Sequence, residues 1–85
     1  MTPAAYHCYL SRRAIDFWKA QSQEGQRRLD DFFLWLERHP HHEGDGWETD
    51  SRGFRVFQSI CGPFVVSHRT DHAVCEVRVQ DIIAD

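Results

Sequence analysis

Three strand-like segments separated by very short turns fill the C-terminal half of the chain. They cover residues 53–61, 64–69 and 73–79 and are rich in valine, phenylalanine and other strand-forming residues. Gly62 and Pro63 separate the first two segments, and residues 70–72 separate the second from the third. Because such short turns reverse the chain, the three strands are predicted to be antiparallel neighbours in one sheet.

Two helices are predicted upstream of these strands. Ser11 is placed to cap the first helix, over residues 12–20, because its hydroxyl can accept a bond from an unpaired backbone amide. The second helix is predicted to begin near Ser22 and to run to Arg38, with apolar residues at helical spacing. It ends before Pro40, since proline disfavours helical geometry in the residue that precedes it.

The remaining segments complete a β-α-α-β-β-β order. Residues 6–10 alternate like a short aromatic strand, and residues 43–50 are predicted to form an acidic loop that contains glycine. The simplest packing is an α+β fold in which the two-helix hairpin covers one face of an antiparallel sheet. With only 85 residues, the chain has room for one hydrophobic core, so we expect a single domain over residues 1–85.

The sequence leaves open which side chains of the strand at residues 53–61 face the core. Phe54, Val56 and Ile60 compete with Phe57 and Cys61 for the buried face. A shift of one residue in register would exchange the two sets.

The net charge and the cysteine content exclude several classes of protein. The net charge of −3 excludes nucleic-acid binding by overall positive charge, so any such binding must use a local patch. The three widely spaced cysteines form neither a disulfide framework nor a zinc motif. Residues 1–7 lack the features of a signal peptide, and no segment resembles a membrane span. We therefore expect a cytoplasmic protein with no membrane partner, cofactor or metal.

A local basic patch is predicted on the C-terminal strands. Its members are Arg52, Arg55, Arg69 and Arg78. Guanidinium groups pair with phosphate oxygens and can stabilise the transition state of phosphodiester cleavage. His68, next to Arg69, is the candidate for proton transfer. The alternative is an ordinary solvated strand face, on which arginines provide solubility and cross-strand pairs.

Two other clusters are interpreted as structural. His39, His41, His42 and Glu43 are metal-ligand types, but their spacing places no pair on one helical face, which favours a solvated loop. Cys61 and Cys75 have apolar neighbours in predicted strands. This context is typical of buried structural thiols rather than of nucleophiles.

Taken in order, these segments resemble the RelE/ParE superfamily of toxins from bacterial type II toxin–antitoxin systems. The resemblance spans nearly the whole chain. It rests on the strand at residues 6–10, the helical hairpin that ends in Leu-Glu-Arg-His-Pro at 36–40, the acidic loop, and the segments 53–56, 62–69 and 73–79.

The resemblance implies a small growth-inhibiting toxin that is neutralised by an antitoxin protein, as in plasmid-stabilisation systems. The RelE-like branch of the family cleaves mRNA on the ribosome with basic groups on the open sheet face, and the ParE-like branch inhibits DNA gyrase. Arg55 and Arg69 resemble the family's phosphate-facing positions, and Arg78 on the last strand matches them less closely. By the same resemblance, His68 is the candidate acid–base group.

Three functions stay open at this point. The first is a toxin that acts by binding a cellular target, the second a metal-independent mRNA endoribonuclease of the RelE type, and the third a catalytically silent protein-binding relative. The first is preferred, because RelE-like nucleases are strongly basic and carry a tyrosine or histidine just after the last strand. Residues 80–85 contain neither. The wide apolar surface of the second helix also indicates a protein partner or a homodimer contact.

Overall fold

The computed structural model describes residues 5–84. Along the chain these residues form β1 (His7–Leu10), α1 (Arg12–Lys19), α2 (Gln23–Arg38), β2 (Gly46–Thr49), β3 (Arg55–Cys61), β4 (Phe64–Asp71) and β5 (Glu76–Ala84). The predicted absence of a signal peptide concerns residues 1–7, of which 1–4 lie outside the described range. No helix within residues 5–84 has the length and apolar character needed to cross a membrane.

The strands form one sheet in the order β1-β5-β4-β3-β2, with both helices packed on one face. β2 to β5 follow one another as antiparallel neighbours. The predicted α+β class, the helical hairpin and the antiparallel meander are confirmed. The predicted cap at Ser11 is also confirmed, since its hydroxyl accepts from the amide of Ala14 at 3.1 Å. Ser22, near which the second helix was predicted to begin, accepts from the amide of Gly25 at 3.1 Å.

The sheet is mixed rather than purely antiparallel, because β1 lies parallel to β5. The short turns determine the relative direction of the C-terminal strands only. β1 is instead connected to the next strand along the chain through two helices. That long connection carries the chain across the sheet face, which makes a parallel pairing possible. The N–H of Ser11 donates to the carbonyl of Val79 at 2.9 Å and fixes the end of β1 beside β5.

The segment predicted as an acidic loop contains a strand, β2. Its residues pair with β3 along the full length of the strand, from Gly46 opposite Gln58 to Thr49 opposite Arg55. Glycine and acidic residues have low strand propensity, but pairing with an existing strand edge outweighs that local preference. The order of elements is therefore β-α-α-β-β-β-β.

The last strand starts and ends later than predicted. Residues 72–75 form a turn, in which Cys75 has a φ of 55°. β5 then continues to Ala84, through residues that the sequence suggested were a tail. A β-bulge lies at Gln80, because His68 pairs with Val79 whereas Ser67 pairs with Asp81. The extra residue changes the alternation, so that Val79 and Ile82 both point into the core.

The core lies between the helices and one face of the sheet. Its helical members are Ala14, Leu29, Phe33 and Leu36, and its strand members are Cys61, Phe64, Val66, Val77, Val79 and Ile82. The open question about β3 is thereby answered. Cys61 is in the core and Phe57 pairs with buried His68, whereas Ile60 is exposed on the opposite face. Val56 belongs to the same set as Ile60 but is only 4% exposed, so the second face of β3 is buried at this one position.

Replacing Gly44 by alanine is expected to destabilise the fold by at least about 2 kcal/mol. Gly44 has a φ of +72°, and an added Cβ would lie 2.6 Å from the carbonyl oxygen of Gln58 in β3. Gly53→Ala is the control, since its φ is +85° but its Cβ would meet open space. Urea unfolding of both variants measures the difference. Equal losses of stability would show that the contact with β3 is unimportant.

Candidate phosphate-binding site

The helices leave one face of the sheet uncovered, and we call it the helix-free face. Arg69 on β4 and Arg78 on β5 are directly paired across the two strands. Their neighbours Val77, Val79 and His68 are buried on the helix side. Because successive side chains of a strand alternate, Arg69 and Arg78 lie together on the helix-free face.

These two arginines line an open groove of about 260 Å³, which we call the arginine groove. Its lining residues are Tyr9, Leu10, Ser11, Arg52, Arg69, Arg78, Val79 and Gln80. Tyr9 on β1 pairs with Arg78 and is largely exposed. Tyr9 was not among the predicted site residues, and the alternation of residues 6–10 is the sequence signal that could have separated it from Cys8 and Leu10.

The arginines of the groove differ in how their charge is compensated. Arg78 donates to Glu76 through Nη2 at 2.8 Å and Nε at 3.1 Å, and it lies 3.6 Å from the carboxylate of Asp71. The hydrogen bond to Glu76 raises the pKa of Arg78. Arg52 pairs with Asp50 at 3.7 Å. Two of the three guanidinium groups are thus oriented and partly neutralised by carboxylates.

Arg69 is compensated differently. Within residues 5–84, no carboxylate oxygen lies within 4 Å of its guanidinium group. The group stacks on the ring of Phe54, with Cζ 4.5 Å from the ring centroid, and its Nε is buried without a hydrogen-bond partner. Cation–π stacking orients a guanidinium while leaving its charge available to an anion. Arg69 is therefore the groove's main candidate for phosphate contact.

Arg55 lies in a different place from Arg69 and Arg78. Its guanidinium stacks on Trp47 of β2, with Cζ 4.1 Å from the ring centroid. Arg55 lines a second cleft of about 260 Å³, which we call the histidine cleft. The residues of this cleft are Pro40, His41, His42, Glu43, Arg55, Phe57, Arg69, Thr70 and His72. Arg69 lines both clefts, so they adjoin.

His68 and Arg69 point to opposite faces of the sheet, because successive side chains of β4 alternate between the two faces. Its side chain is 1% exposed and lies under the helices, where Nε2 is 2.7 Å from the hydroxyl of Ser59. Burial lowers the pKa of His68 to about 4, and the nearby ring of His42 acts in the same direction. The structure therefore places Arg69 and Arg78 together, Arg55 in the adjoining cleft, and His68 in the core.

The cluster of His39, His41, His42 and Glu43 was predicted to lie in a solvated loop, and the structure brings its members His41 and His42 beside His72 from the β4–β5 turn. The rings of His41 and His72 stack with centroids 4.6 Å apart. No local pattern could have revealed this pairing, because thirty residues separate the two. Within residues 5–84, no group of three or more histidine, cysteine or acidic side chains is arranged to hold a metal ion.

The cysteines have separate environments. Cys61 is buried, as predicted, and burial raises its pKa. The prediction for Cys75 was wrong, because this residue lies half-exposed in the turn before β5. Burial and the Glu37 carboxylate raise the pKa of Cys8 to about 12. That shift disfavours the reactive thiolate of Cys8.

Comparison with known proteins gives matches at the level of structure. No protein-family model and no curated protein matches the sequence. The crystal structure of an archaeal RelE–RelB complex from Pyrococcus horikoshii OT3 matches with a TM-score of 0.76 and 12% identity, over 95% of this chain and 96% of that chain. The RelBE2 toxin–antitoxin complex from Mycobacterium tuberculosis matches with a TM-score of 0.79 and 14% identity, over 96% of this chain and 100% of that chain. The chain therefore shares its fold with a chain of each of these two complexes over nearly its whole length.

Proposed function

We propose that this chain is the toxin of a bacterial type II toxin–antitoxin pair and that it contacts its cellular target through the arginine groove. The observation that carries the proposal is the position of Arg52, Arg69 and Arg78 around one groove, on the face that the helices leave open. Both structural neighbours described above are toxin–antitoxin complexes. Guanidinium groups in this arrangement suit the phosphates of a nucleic acid better than an apolar protein surface.

An antitoxin segment is the proposed partner of α2. Leu34 is 57% exposed on this helix, beside a cleft of about 310 Å³ between α2 and β1. The free edge of β1 is less suited to strand addition, because the N–H of Cys8 already donates to the Glu37 carboxylate at 2.7 Å. An amphipathic helix lying along α2 is therefore favoured over an added strand. A second copy of the chain is the competing occupant, which the mass of the purified protein in solution distinguishes.

RNA cleavage is the second candidate function. It is favoured by the pairing of Tyr9 with Arg78, because RNA-binding sites combine phosphate-binding arginines with aromatic rings on which unpaired bases stack. His68 has no place in this candidate mechanism, since its buried ring lies on the other face of the sheet. A cleavage mechanism in this groove would use Arg69 and Arg78 to stabilise the charge of the transition state.

The toxin proposal predicts that expression of the chain alone lowers bacterial colony counts by several orders of magnitude. Arg69→Ala/Arg78→Ala is expected to abolish the effect, because it removes both paired guanidinium groups from the groove. Arg12→Ala/Arg27→Ala removes the same charge from exposed helix positions and should leave toxicity unchanged. Normal growth despite soluble, folded wild-type protein would leave only the silent protein-binding alternative. Equal loss of toxicity in both double variants would reject the groove as the site.

The target is then identified by two readouts in the same cells. Shortened transcripts that depend on Arg69 and Arg78 would support RNA cleavage. Intact transcripts with altered plasmid supercoiling would support the inhibition of gyrase.

A further inference from the structure

The turn between β2 and β3 presents an aromatic ring beside the arginine groove. Phe54 lies directly before β3, is 47% exposed and is not a member of the hydrophobic core. Two cations share its ring, since the guanidinium groups of Arg52 and Arg69 both lie over it, with Cζ 5.4 Å and 4.5 Å from the centroid. Both arginines line the arginine groove, whereas Phe54 does not. Phe54 therefore contacts the groove through two of its arginines.

The backbone of Phe54 is fixed by Asp50 at the other end of the turn. The carbonyl of Phe54 accepts from the amide of Asp50 at 2.9 Å, and the amide of Phe54 donates to the Asp50 carboxylate at 3.0 Å. The same carboxylate oxygen accepts from the amide of Arg52 at 2.9 Å. An aspartate that binds backbone amides within its own turn makes the turn rigid. The ring of Phe54 is therefore held at a defined place beside β4, where Arg69 lies.

The ring also offsets a repulsion. Arg52 and Arg69 carry like charges, which repel each other across a shared partner. The negative π face of Phe54 attracts both cations. Asp50 contributes a full negative charge, because the backbone hydrogen bonds and the two guanidinium groups lower its pKa, although desolvation acts to raise it. The aromatic ring and one carboxylate thus keep two arginines on the same side of the sheet.

Arg69 depends on the ring more than its neighbours do. Arg78 is held by two hydrogen bonds to Glu76, and Arg52 lies 3.7 Å from Asp50. The Nε of Arg69 is buried without a hydrogen-bond partner, so its contact with Phe54 is the interaction that orients its guanidinium group. A different role for Phe54 is to cover apolar surface on β3. Leucine can also cover apolar surface but has no π face, so substitution by leucine separates the two roles.

We propose that Phe54 is a positioning residue of the arginine groove, whose aromatic face holds Arg69, together with Arg52, in the orientation that receives a phosphate group. Phe54 itself does not touch the ligand. The identity of that ligand, a nucleic-acid phosphate, rests on the proposed function. The orientation of Arg69 does not, because it can be measured in the free protein.

Nuclear magnetic resonance of the ¹⁵N-labelled full chain tests the positioning directly through the Nε–Hε groups of its arginines. In the wild type and in Phe54→Tyr, the Nε of Arg69 is expected to be as rigid as that of Arg78. In Phe54→Leu, its order parameter should fall into the flexible range, below about 0.6, while Arg78 stays rigid. Recovery in the tyrosine variant shows that the aromatic face is what matters. A rigid Arg69 in Phe54→Leu would overturn the proposal.

Trp47→Leu is the matched control. Trp47 is also an exposed aromatic residue near this turn, and its ring lies under a different arginine, Arg55. This substitution should increase the mobility of Arg55 and leave Arg69 rigid. Circular dichroism checks that both leucine variants fold. Equal mobility of Arg69 in the two folded variants would assign the effect to general loosening of the turn and would also overturn the proposal.

Binding of a short single-stranded RNA oligonucleotide at constant salt concentration tests the consequence for the groove. Phe54→Leu should weaken binding by about tenfold, and Phe54→Tyr should stay within about twofold of the wild type. Wild-type affinity in Phe54→Leu despite a mobile Arg69 would show that the ring does not position the arginine for a ligand. A wild-type chain that neither binds RNA nor inhibits growth would reject the proposed function, and the rigidity of Arg69 would still decide whether Phe54 orients it.

Discussion

Leu29→Ala is expected to lower the free energy of unfolding by about 2–5 kcal/mol. Leu29 on α2 is fully buried against the sheet, and its truncation removes apolar contacts and leaves a cavity that a rigid sheet cannot fill. Small domains have a total stability of only about 5–15 kcal/mol. This one substitution therefore removes a large part of what keeps the chain folded.

Leu34→Ala provides a matched control on the same helix. It makes the same chemical change with the same helix propensity, but Leu34 is exposed and should contribute less than about 1 kcal/mol. Urea unfolding followed by circular dichroism measures both variants. If α2 instead buries the side of the helix that carries Leu34, the two effects will be reversed. The stable Leu34 variant can also be used to test antitoxin binding.

Acidification is expected to lower stability by about 3 kcal/mol in total through His68. Burial lowers the pKa of His68 to about 4, below the value of 6.5 for an unperturbed histidine. Above about pH 6.5 the ring is neutral in both the folded and the unfolded chain, so it has no effect on stability. Below that pH the unfolded chain takes up a proton that the folded chain does not. Stability is therefore lost progressively as the pH falls from about 6.5 to about 4.

His68→Gln tests this source of acid sensitivity. Glutamine does not titrate, and its amide can still bond to the hydroxyl of Ser59, the partner of His68 Nε2. The free energy of unfolding of this variant should depend much less on pH between about 7 and about 4 than that of the wild type. His7→Gln, at an exposed position on β1, should leave the wild-type dependence unchanged. An identical pH dependence in wild type and His68→Gln would assign the acid sensitivity to other groups.

Local sequence patterns were sufficient to predict where this chain forms its two helices and its C-terminal strands. Ser11 caps the first helix as expected, and the second helix begins directly after Ser22, near its predicted start, because a cap depends only on residues three positions away. Leu29, Phe33 and Leu36 mark the buried side of α2 through their helical spacing. The antiparallel order of β3, β4 and β5 followed from the short turns between them.

The candidate site was predictable only in part. Arg69 and Arg78 were recognised as basic residues on adjacent strands, and the structure pairs them. Arg55 and His68 were grouped with them because all four lie on or beside the predicted C-terminal strands. Side chains of a strand alternate between faces, so the neighbouring residues His68 and Arg69 are separated by the sheet itself.

The helices and the C-terminal meander could be predicted from the sequence alone, because periodicity, caps and short turns act over a few residues. Tertiary contacts were needed for the parallel pairing of β1, for strand β2 and for the bulge at Gln80. They also determine which face the helices cover, and so which arginines stay exposed and which histidine is buried. These features depend on pairings between residues far apart in the chain, and no local pattern specifies such pairings.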